Sequence, residues 1–418
     1  MSDTEVDLIV QIAGLDLLAG RLFSHRRRAV ESATFSYASE YLAHRDAYEL
    51  DPALPLSAGA QQTPLGRAIF GAFSDCAPDR WGRRLMQRAE HRRVRSEREG
   101  AERSFGEIDY LLGVRDDLRQ GALRLREPTT GAYLAEERSG VPQLLDLPRL
   151  LGAAERLERE EDGEEDLRTL LRAGSSLGGA RPKAHVRTGD GAVAIAKFPS
   201  PANDEWDVMR WETVALGLAR DAGILVPQHA LHVIDRKAVL ILARFDRSGA
   251  RRVGYASAMT MLEAADREQA SYLDIAEVIE RHSPAAREDL RQLWRRIAFS
   301  ILISNTDEHL RNHGFLRAST AGWSLAPAFD LNPDPRPGPK HLCTAIDYDT
   351  TEARLDVLLG IAEHFRLGDE DARALLREVA TATGRWRTAA QAAGLSRAAV
   401  EQMAPAFEHQ QARVAREV

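Results

Sequence analysis

The chain has 418 residues, of which 44% are hydrophobic and 28% charged, and its formal net charge is -7. This composition is typical of a globular protein with two or three folding units, and it excludes a disordered chain. The negative net charge argues against a protein whose whole surface binds nucleic acid. No run of about 18 apolar residues occurs, so the sequence predicts no transmembrane helix.

The N-terminal sequence "MSDTEVDLIVQIAG" has neither the basic start nor the apolar core of a secretory signal. We therefore expect a cytoplasmic protein with no membrane partner. The only cysteines, Cys76 and Cys343, are too few for a disulfide framework or a cysteine-rich zinc site. We expect both to be reduced, buried thiols.

The first region, residues 1–150, is expected to be an α+β subdomain. "EVDLIVQIAGLDLLAGRLF" has short apolar runs separated by glycine, which predict a pair of strands, and "RAVESATFSYASEYL" alternates around Phe35 and Tyr37. "TPLGRAIFGAFSDCAPDRWGRRLMQRAEHRR" begins with a Thr-Pro helix start and ends in a basic helix. The stretch that follows, "HRRVRSEREGAER", mixes both signs of charge. It predicts a solvated helix surface, with a patch that binds DNA or a protein partner as the alternative.

The second region, residues 151–250, opens with an acidic, helix-prone stretch, "ERLEREEDGEEDLRTLLRAG". In "AHVRTGDGAVAIAKFPS", two short apolar runs flank a Gly-Asp-Gly turn, which predicts a hairpin. "EWDVMRWETVALGLARDAGI" predicts a helix, and "HALHVIDRKAVLILARFDR" predicts two more strands across a turn. The core face of that helix would consist of Val208, Trp211, Ala215, Leu218 and Ala219. We expect a small antiparallel sheet with one helix packed on it.

The third region, residues 251–418, is expected to be helical. "REDLRQLWRRIAFSILISNTD" carries an apolar stripe of the kind that faces a core: Leu290, Leu293, Trp294, Ile297 and Ile301. "DARALLREVATATGRWRTAAQAAG" continues the helical pattern, and Ser396 is a candidate N-cap for a last helix. A mixed lobe followed by a helical lobe is an arrangement that can bind ligands.

Four polar clusters are candidates for chemistry, and the first is "GSSLGGARPK", residues 174–183. Glycine-rich backbone can approach phosphates closely, and Lys183 adds a positive charge. The spacing is not that of a Walker A motif, and a flexible surface turn explains the stretch equally well. Ser175 and Ser176 are candidate phosphorylation sites or simply turn residues.

The second and third clusters lie at the ends of predicted strands. Lys197 ends the apolar strand of "VAIAKFPS", and it could extend to solvent or bind nucleotide phosphates as the strand lysine of protein kinases does. Glu212, on the next helix, is a candidate ion-pair partner. In "LARFDR", residues 242–247, backbone groups past the strand end could bind an adenine edge or could form a surface turn.

The fourth cluster is "SNTDEHLRN", residues 304–312, together with Asp330 in "LAPAFDLNP". Asp307 and Asn312 have the spacing of the base and the metal-binding asparagine in the kinase HRDxxxxN motif. One carboxylate would orient the attacking hydroxyl, while an amide oxygen and a second carboxylate would hold Mg²⁺. Zinc would need more ligands than His309 and His313, and helix capping remains a second alternative. The order of the four clusters favours phosphoryl transfer.

These motifs resemble a known family. "SSLGGARPK", "AKFP", "ARFDR", "NTDEHLRNHGFL" and "PAFDLNP" look like the motif series of HipA-type serine/threonine kinases, the toxins of bacterial toxin–antitoxin pairs. "FSDCAPDRWGRRLM" and "DYLLGVRDDLRQGALRL" are similar to the N-terminal subdomain of that family. The resemblance implies an α+β, bilobal, protein-kinase-like fold with a small mixed sheet lobe, a larger all-helical lobe and an N-terminal subdomain.

The resemblance also implies roles for individual residues. Asp307 would be the catalytic base, and Asn312 and Asp330 would bind magnesium. Arg311 stands where the family usually has lysine, so a phosphate contact by this side chain is in doubt. The implied ATP site has four parts. The glycine-rich loop is Gly178, Gly179, Ala180, Arg181, Pro182 and Lys183, and the strand lysine is Lys197. The adenine hinge is Ala243, Arg244 and Phe245, with Asp246 on the ribose side, and the catalytic and metal loops contribute His309, Arg311, Asn312, Phe329 and Asp330.

The resemblance further implies autophosphorylation of Ser176, with Ser175 as the alternative, and a helix-turn-helix antitoxin partner of the HipB type. Contact with DNA would then be mainly indirect, through the antitoxin. The protein substrate would be a translation component, such as an aminoacyl-tRNA synthetase. Two other functions stay open at this point: a phosphotransferase acting on a sugar, lipid or antibiotic, and a non-catalytic binding module.

Overall fold

The computed structural model describes residues 4–27, 30–97, 103–135, 140–174, 179–266 and 268–418. The chain forms two compact units. Unit 1 comprises Met1–Asn203 and Ile241–Ala256, and unit 2 comprises Asp204–Leu240 and Ser257–Val418. The division into three regions at residues 150 and 250 stays a prediction. Within the described ranges, no helix is long and apolar enough to cross a membrane.

Unit 1 begins with an antiparallel sheet of the order β4-β3-β2-β1-β5. The predicted first strand pair is confirmed, because β1 pairs with β2 around a turn in which Ala13 and Gly14 have φ of 51° and 88°. Two consecutive left-handed residues match the twist of a two-residue hairpin. The strands are β1 (Thr4–Ile12), β2 (Leu15–Arg27), β3 (Val30–Tyr37), β4 (Ala60–Gln62) and β5 (Leu123–Arg126).

Six helices accompany this sheet in the part of unit 1 that the structure describes: α1 (Ser39–Leu42), α2 (Gly71–Ser74), α3 (Arg80–Glu97), α4 (Glu107–Gly113), α5 (Leu147–Glu158) and α6 (Glu164–Ala173). The predicted basic helix is α3, but it begins at Arg80 and not at the Thr-Pro pair. The mixed-charge stretch, residues 91–103, forms the end of α3 up to Glu97 and then lies partly outside the described residues. In the described part, Arg92 pairs with Asp162 at 3.0 Å and Arg93 with Glu90 at 2.7 Å.

The hairpin predicted around Gly189-Asp190-Gly191 is confirmed. It consists of β6 (Lys183–Arg187) and β7 (Val193–Lys197), which pair antiparallel from Lys183 opposite Lys197 to Arg187 opposite Val193. Gly191 has φ of 87°, the conformation that such a turn requires. The hairpin therefore fixes Lys197 at the end of an apolar strand, as predicted.

The chain then enters unit 2 with α7 (Val208–Asp221), β8 (His229–Ile234) and the first four residues of β9 (Lys237–Ala243). The side chain of Asp207 caps α7 by accepting a hydrogen bond from the backbone N–H of Arg210 at 3.1 Å. Every residue of the predicted core face of α7 is buried. The turn between β8 and β9 has two left-handed residues, Asp235 and Arg236.

The chain returns to unit 1 for β10 (Arg247–Ser248), β11 (Arg251–Arg252) and most of β12 (Gly254–Ser257). Unit 2 resumes with α8 (Ala258–Met261), α9 (Tyr272–His282) and α10 (Ala286–Ile303). The apolar stripe predicted on α10 is confirmed, because all five of its side chains are fully buried. This rigid helix ends directly before the candidate catalytic stretch.

The prediction of an all-helical third region, residues 251–418, was wrong at its start, where β11 and β12 lie, and again between α10 and the C-terminal helices. β13 (Gly314–Ser319) and β14 (Gly322–Leu325) form an antiparallel hairpin that follows the candidate catalytic stretch. The apolar residues Phe315, Trp323 and Leu325 of these strands are buried. Strands of six and four residues are too short for their alternation to stand out in a helical region.

The C-terminal part of unit 2 is helical, as predicted: α11 (Leu355–Gly360), α12 (Asp369–Thr383), α13 (Trp386–Ala392), α14 (Arg397–Phe407) and α15 (Gln410–Glu417). The helical pattern of residues 371–394 is divided between α12 and α13. Ser396 caps α14 as predicted, because its Oγ accepts a hydrogen bond from the N–H of Ala399 at 3.2 Å. Trp386 stacks on Phe407 with ring centroids 4.8 Å apart, so aromatic packing joins the last helices.

Candidate active site

The candidate catalytic loop of unit 2 begins where α10 ends. Ser304 is fully buried and has φ of 54°, a left-handed conformation that turns the chain sharply out of the helix. Its hydroxyl donates a hydrogen bond to the carbonyl of Ala406 at 3.0 Å. The first residue of the loop is therefore fixed by its backbone conformation and by a contact with α14.

Buried polar contacts hold the interior of the loop. The side-chain amide of Asn305 donates a hydrogen bond to the carboxylate of Glu308, and Nε2 of His313 lies 3.0 Å from Oε2 of the same carboxylate. The hydroxyl of Thr344 donates to the carbonyl of Glu308 at 2.6 Å. Because Asn305, Glu308 and His313 are buried, the loop has its own small polar core.

Asp307, His309 and Asn312 are brought together by this loop. The amide Nδ2 of Asn312 donates to the backbone carbonyl of Asp307 at 2.9 Å, and the N–H of Asn312 donates to the carbonyl of His309 at 2.8 Å. Since Nδ2 is used in this bond, Oδ1 is the Asn312 atom that remains for a metal ion. Asp307 is exposed, while Asn312 is buried.

Asp330 follows β14 and has φ of 60°, which is uncommon for a residue with a side chain. The amide of Asn332 donates to Oδ1 of Asp330 at 3.3 Å, and the N–H of Asn332 donates to Oδ1 of Asn305 at 3.2 Å. These bonds connect the segment around Asp330, which includes the half-buried Phe329, to the catalytic loop. Backbone strain at a site-forming residue is a feature of functional segments.

The pKa of Asp307 is raised above its usual value. The main cause is desolvation, and the negative charges of Asp330 and Glu308 act in the same direction, whereas His309 opposes them. Asp330 is therefore close enough to Asp307 to change its protonation. A carboxyl group with a raised pKa is a better proton acceptor when it is ionised, as general base catalysis requires.

Cys343 lies beside the candidate base, with its Sγ 3.9 Å from Oδ1 of Asp307. The expectation that both cysteines are buried was wrong for Cys343, which is exposed, and right for Cys76. Burial raises the pKa of Cys76 to about 12, and desolvation followed by the charge of Asp307 raises the pKa of Cys343. The contact joins residues 36 positions apart, and no signal in the sequence pointed to it.

Arg311 occupies the position where the resembled family has lysine, and its guanidinium pairs with Asp266 at 2.8 Å. Both side chains are partly exposed. The pair is therefore weak and can exchange for another anion at little cost. The prediction of a phosphate contact by Arg311 is not tested by this contact.

In unit 1, the described part of the glycine-rich stretch consists of Gly174 and the residues from Gly179 to Lys183. Ser175, Ser176 and Gly178 lie outside the described residues. Ala180 is exposed, Arg181 is half-buried and Pro182 is buried. Lys183 is the first residue of β6 and is buried, with its Nζ 2.6 Å from the carboxylate of Asp79. Sequence reasoning missed Asp79 because 104 positions separate the two residues.

Lys197 is buried at the end of β7, directly opposite Lys183 in the hairpin. The N–H of Phe198 donates to the carbonyl of Pro182 at 2.9 Å, so the strand end and the end of the glycine-rich stretch are joined. Two lysines on the same face of a hairpin repel each other unless anions lie nearby. The structure thus brings together both lysines that the sequence assigned to phosphates.

The predicted hinge, Ala243 to Asp246, follows β9. Ala243 and Phe245 are half-buried, whereas Arg244 and Asp246 are buried and form a bidentate ion pair with distances of 2.9 and 2.6 Å. Arg247 donates to the same carboxylate at 2.8 Å, and so does the N–H of Gly121. Burial alone would raise the pKa of Asp246, but Arg244 and Arg247 hold it far below its usual value.

This network gives Asp246 a structural role that the sequence did not predict. Its carboxylate oxygens already accept bonds from two guanidinium groups and one backbone N–H. Arg244 also donates to the carbonyls of Leu118 and Arg119 at 2.7 and 3.1 Å. The hinge is therefore anchored to the 3₁₀ turn before β5, and the ribose contact of Asp246 stays a prediction.

The oxygen donors of the catalytic loop suit a magnesium ion. Asn312 offers an amide oxygen and Asp330 a carboxylate, and Mg²⁺ prefers such hard oxygen ligands. No group of three or more His, Cys, Asp or Glu side chains in the described ranges is arranged to hold a metal. Zinc with a full set of protein ligands therefore has no support in this part of the molecule.

Comparison with solved structures agrees with the fold. The chain superposes on HipA from the structure titled Shewanella oneidensis MR-1 Toxin Antitoxin System HipA, HipB and its operator DNA complex, with a TM-score of 0.65 and 16% sequence identity. The match covers 99% of each chain. This likeness shows a shared fold of the α+β class that the sequence predicted, and the chain forms several small sheets.

Two sequence comparisons identify relatives of the chain. A Haemophilus influenzae (strain ATCC 51907 / DSM 11121 / KW20 / Rd) protein that carries the provisional name of a kinase is 28% identical over 150 residues, which are 32% of this chain. The chain spans only 42% of that relative's length. Residues 175–406 match the model of the HipA-like C-terminal domain. Because the match covers more than half of the chain, the protein belongs to this family.

Proposed function

We propose that the protein is an ATP- and Mg²⁺-dependent serine/threonine protein kinase of the HipA type. Asp307 accepts the proton of the acceptor hydroxyl, while Asn312 and Asp330 hold the metal. Lys197 and the stretch from Gly179 to Lys183 serve the nucleotide phosphates. Family membership and the order of these residues along the chain support the proposal.

The observation that carries the proposal is the arrangement of the catalytic loop. Asn312 is tied by its amide nitrogen to the carbonyl of Asp307, so one turn presents a carboxylate and an amide oxygen together. Desolvation raises the pKa of Asp307, and the charge of Asp330 acts in the same direction. Phosphoryl transfer needs such positioning and electrostatics, with little covalent chemistry from the protein.

Bound magnesium would supply positive charge against the phosphates. Asn312 and Asp330 would hold this ion. The buried contact between Asn305 and Glu308 fixes the loop that carries Asn312. Asp307 is exposed and is not tied up by a guanidinium in any described contact, so it can receive a proton from a hydroxyl. Its raised pKa favours that transfer.

The cognate partners follow from the same family membership. The solved structure that this fold matches is titled a complex of HipA with HipB and operator DNA. We propose a HipB-like helix-turn-helix antitoxin for this chain, with DNA contacted mainly through it, and a translation component such as an aminoacyl-tRNA synthetase as the phosphorylated protein.

The proposal is tested by incubating the purified protein with labelled ATP and Mg²⁺ and locating the label by mass spectrometry. We expect autophosphorylation at Ser176 or Ser175 and no label in the Asp307→Asn variant. A small-molecule phosphotransferase would leave the polypeptide unlabelled and would transfer label to a sugar, lipid or antibiotic. A folded wild-type protein, free of phosphate beforehand, that transfers no label to any protein would refute the kinase assignment.

A further inference from the structure

A buried ion pair joins the start of α3 to the end of the glycine-rich stretch. The Nζ of Lys183 lies 2.6 Å from Oδ2 of Asp79, and the two side chains are only 4% and 5% exposed. Water and salt therefore screen this pair little, unlike a surface salt bridge. Removing one partner would leave the other charge buried without its counter-ion, which is strongly destabilising.

The Asp79 carboxylate is itself fixed by α3. Its other oxygen, Oδ1, accepts a hydrogen bond from the N–H of Gly82 at 2.8 Å, as an N-cap residue does. The indole N–H of Trp81, which is fully buried, donates to the carbonyl of Lys183 at 3.0 Å. The first turn of α3 therefore holds both the side chain and the backbone of Lys183.

The held ammonium lies directly against the glycine-rich backbone. A Cβ atom on Gly179 would come within 3.0 Å of Nζ of Lys183, and Gly179 has φ of 113°, a conformation that side chains disfavour. Lys183 also faces Lys197 across the hairpin. The carboxylate of Asp79 neutralises the charge of Lys183 and so reduces the repulsion between the two lysines.

We propose that Asp79 is a positioning residue of the nucleotide site. It holds the Lys183 ammonium against Gly179 and so sets the conformation in which the end of the glycine-rich stretch receives phosphates. Lys183 acts here as a support for the backbone, and a direct phosphate contact by Lys183 would require the buried pair to break. The inference rests on the proposed function, and it links nucleotide affinity to the N-terminal helix α3.

The test compares four proteins with the wild type: D79N, K183M, the double variant D79N/K183M, and E107Q. Asparagine keeps the N-cap acceptor at position 79 and methionine keeps the length of lysine, so each removes mainly a charge. E107Q breaks a partly exposed pair of the same helix, that of Arg83 with Glu107 at 2.5 Å, and is the matched control. Affinity for a non-hydrolysable ATP analogue with Mg²⁺ is measured by calorimetry, and Tm is measured on the same samples.

We expect D79N and K183M each to weaken nucleotide binding by about tenfold or more and to lower Tm. The double variant should regain most of the Tm, because no unpaired charge remains buried. Its nucleotide affinity should stay as low as that of either single variant, since the two residues act as one unit. E107Q should bind the nucleotide as the wild type does.

Three results would overturn the inference and leave the proposed function standing. Wild-type affinity in the double variant would show that the pair contributes only stability, and wild-type affinity in D79N would show that the charge is irrelevant to binding. Binding that is ten times weaker in K183M than in D79N would make Lys183 a direct phosphate ligand. If D79N does not fold, the nucleotide affinity of the double variant decides whether the inference holds. A wild-type protein that binds no nucleotide would overturn the proposed function, and this inference with it.

Discussion

His185 makes the stability of unit 1 depend on pH. It lies in β6, fully buried, and its Nδ1 is 3.2 Å from the carbonyl of Ala173 at the end of α6. Burial, followed by the positive charge of Arg244, lowers the pKa of His185 to about 3. The folded protein therefore keeps this imidazole neutral at pH values where an unfolded chain would protonate it.

The size of the effect follows from proton linkage. The unfolded chain, with a histidine pKa of about 6.5, binds more protons than the folded chain between pH 6.5 and 3, so stability is lost as the pH falls through this window. Integrated from pH 7 to pH 5, the shift of His185 to about 3 corresponds to about 2 kcal/mol of lost stability. The His185→Gln variant cannot titrate, while its amide can still donate to Ala173.

The assay is urea unfolding at pH 7 and pH 5, followed by hydrogen exchange of the peptide that contains β6, which reports on unit 1. The loss of stability between the two pH values should be smaller in His185→Gln than in the wild type by about 2 kcal/mol. His364→Gln, at an exposed histidine, serves as the control and should behave as the wild type does. Equal pH dependence in His185→Gln and the wild type would refute the reasoning.

Three further predictions concern the candidate site. Asp307→Asn should lower kcat for phosphoryl transfer by about 10²–10⁴-fold, the usual contribution of a general base, with an unchanged Tm; full activity would exclude Asp307 as the base. Gly179→Ala should weaken nucleotide binding in calorimetry, because Gly179 has φ of 113° and the added methyl group would lie too close to Nζ of Lys183. Unchanged affinity would show that the backbone at position 179 can adjust to the methyl group. A maleimide should modify Cys343 in the folded protein and Cys76 only in urea, because Cys76 is buried and its pKa is raised to about 12; mass spectrometry of tryptic peptides distinguishes the two, and equal labelling would contradict the burial.

Features that depend on near neighbours in the sequence were predictable. The apolar stripe of α10, from Leu290 to Ile301, follows from helical periodicity, and the hairpin ending at Lys197 follows from its Gly-Asp-Gly turn. The spacing of Asp307 and Asn312 identified a loop whose backbone and side chains are hydrogen-bonded as one turn. Each of these features is set by residues that are close together in the sequence and does not depend on distant residues.

Features that depend on distant pairings were not predictable. Asp79 meets Lys183 across 104 positions, and the hinge residue Asp246 accepts a bond from Gly121 across 125 positions. A sequence shows that an aspartate is present but not which cation it meets. For Asp246 the outcome is a buried carboxylate shared by two arginines, where the family resemblance implied a ribose contact.

The path of the chain between the two units has a consequence for how the protein folds during synthesis. The chain leaves unit 1 after Asn203, returns at Ile241 and leaves again after Ala256. Within unit 1, Arg119 and Gly121 lack hydrogen-bond partners that they have in the finished fold until Arg244 and Asp246, respectively, have been made. Its first 203 residues therefore cannot complete their fold on the ribosome ahead of the rest. Separating the units would take an internal excision, since no single cut of the chain isolates either one.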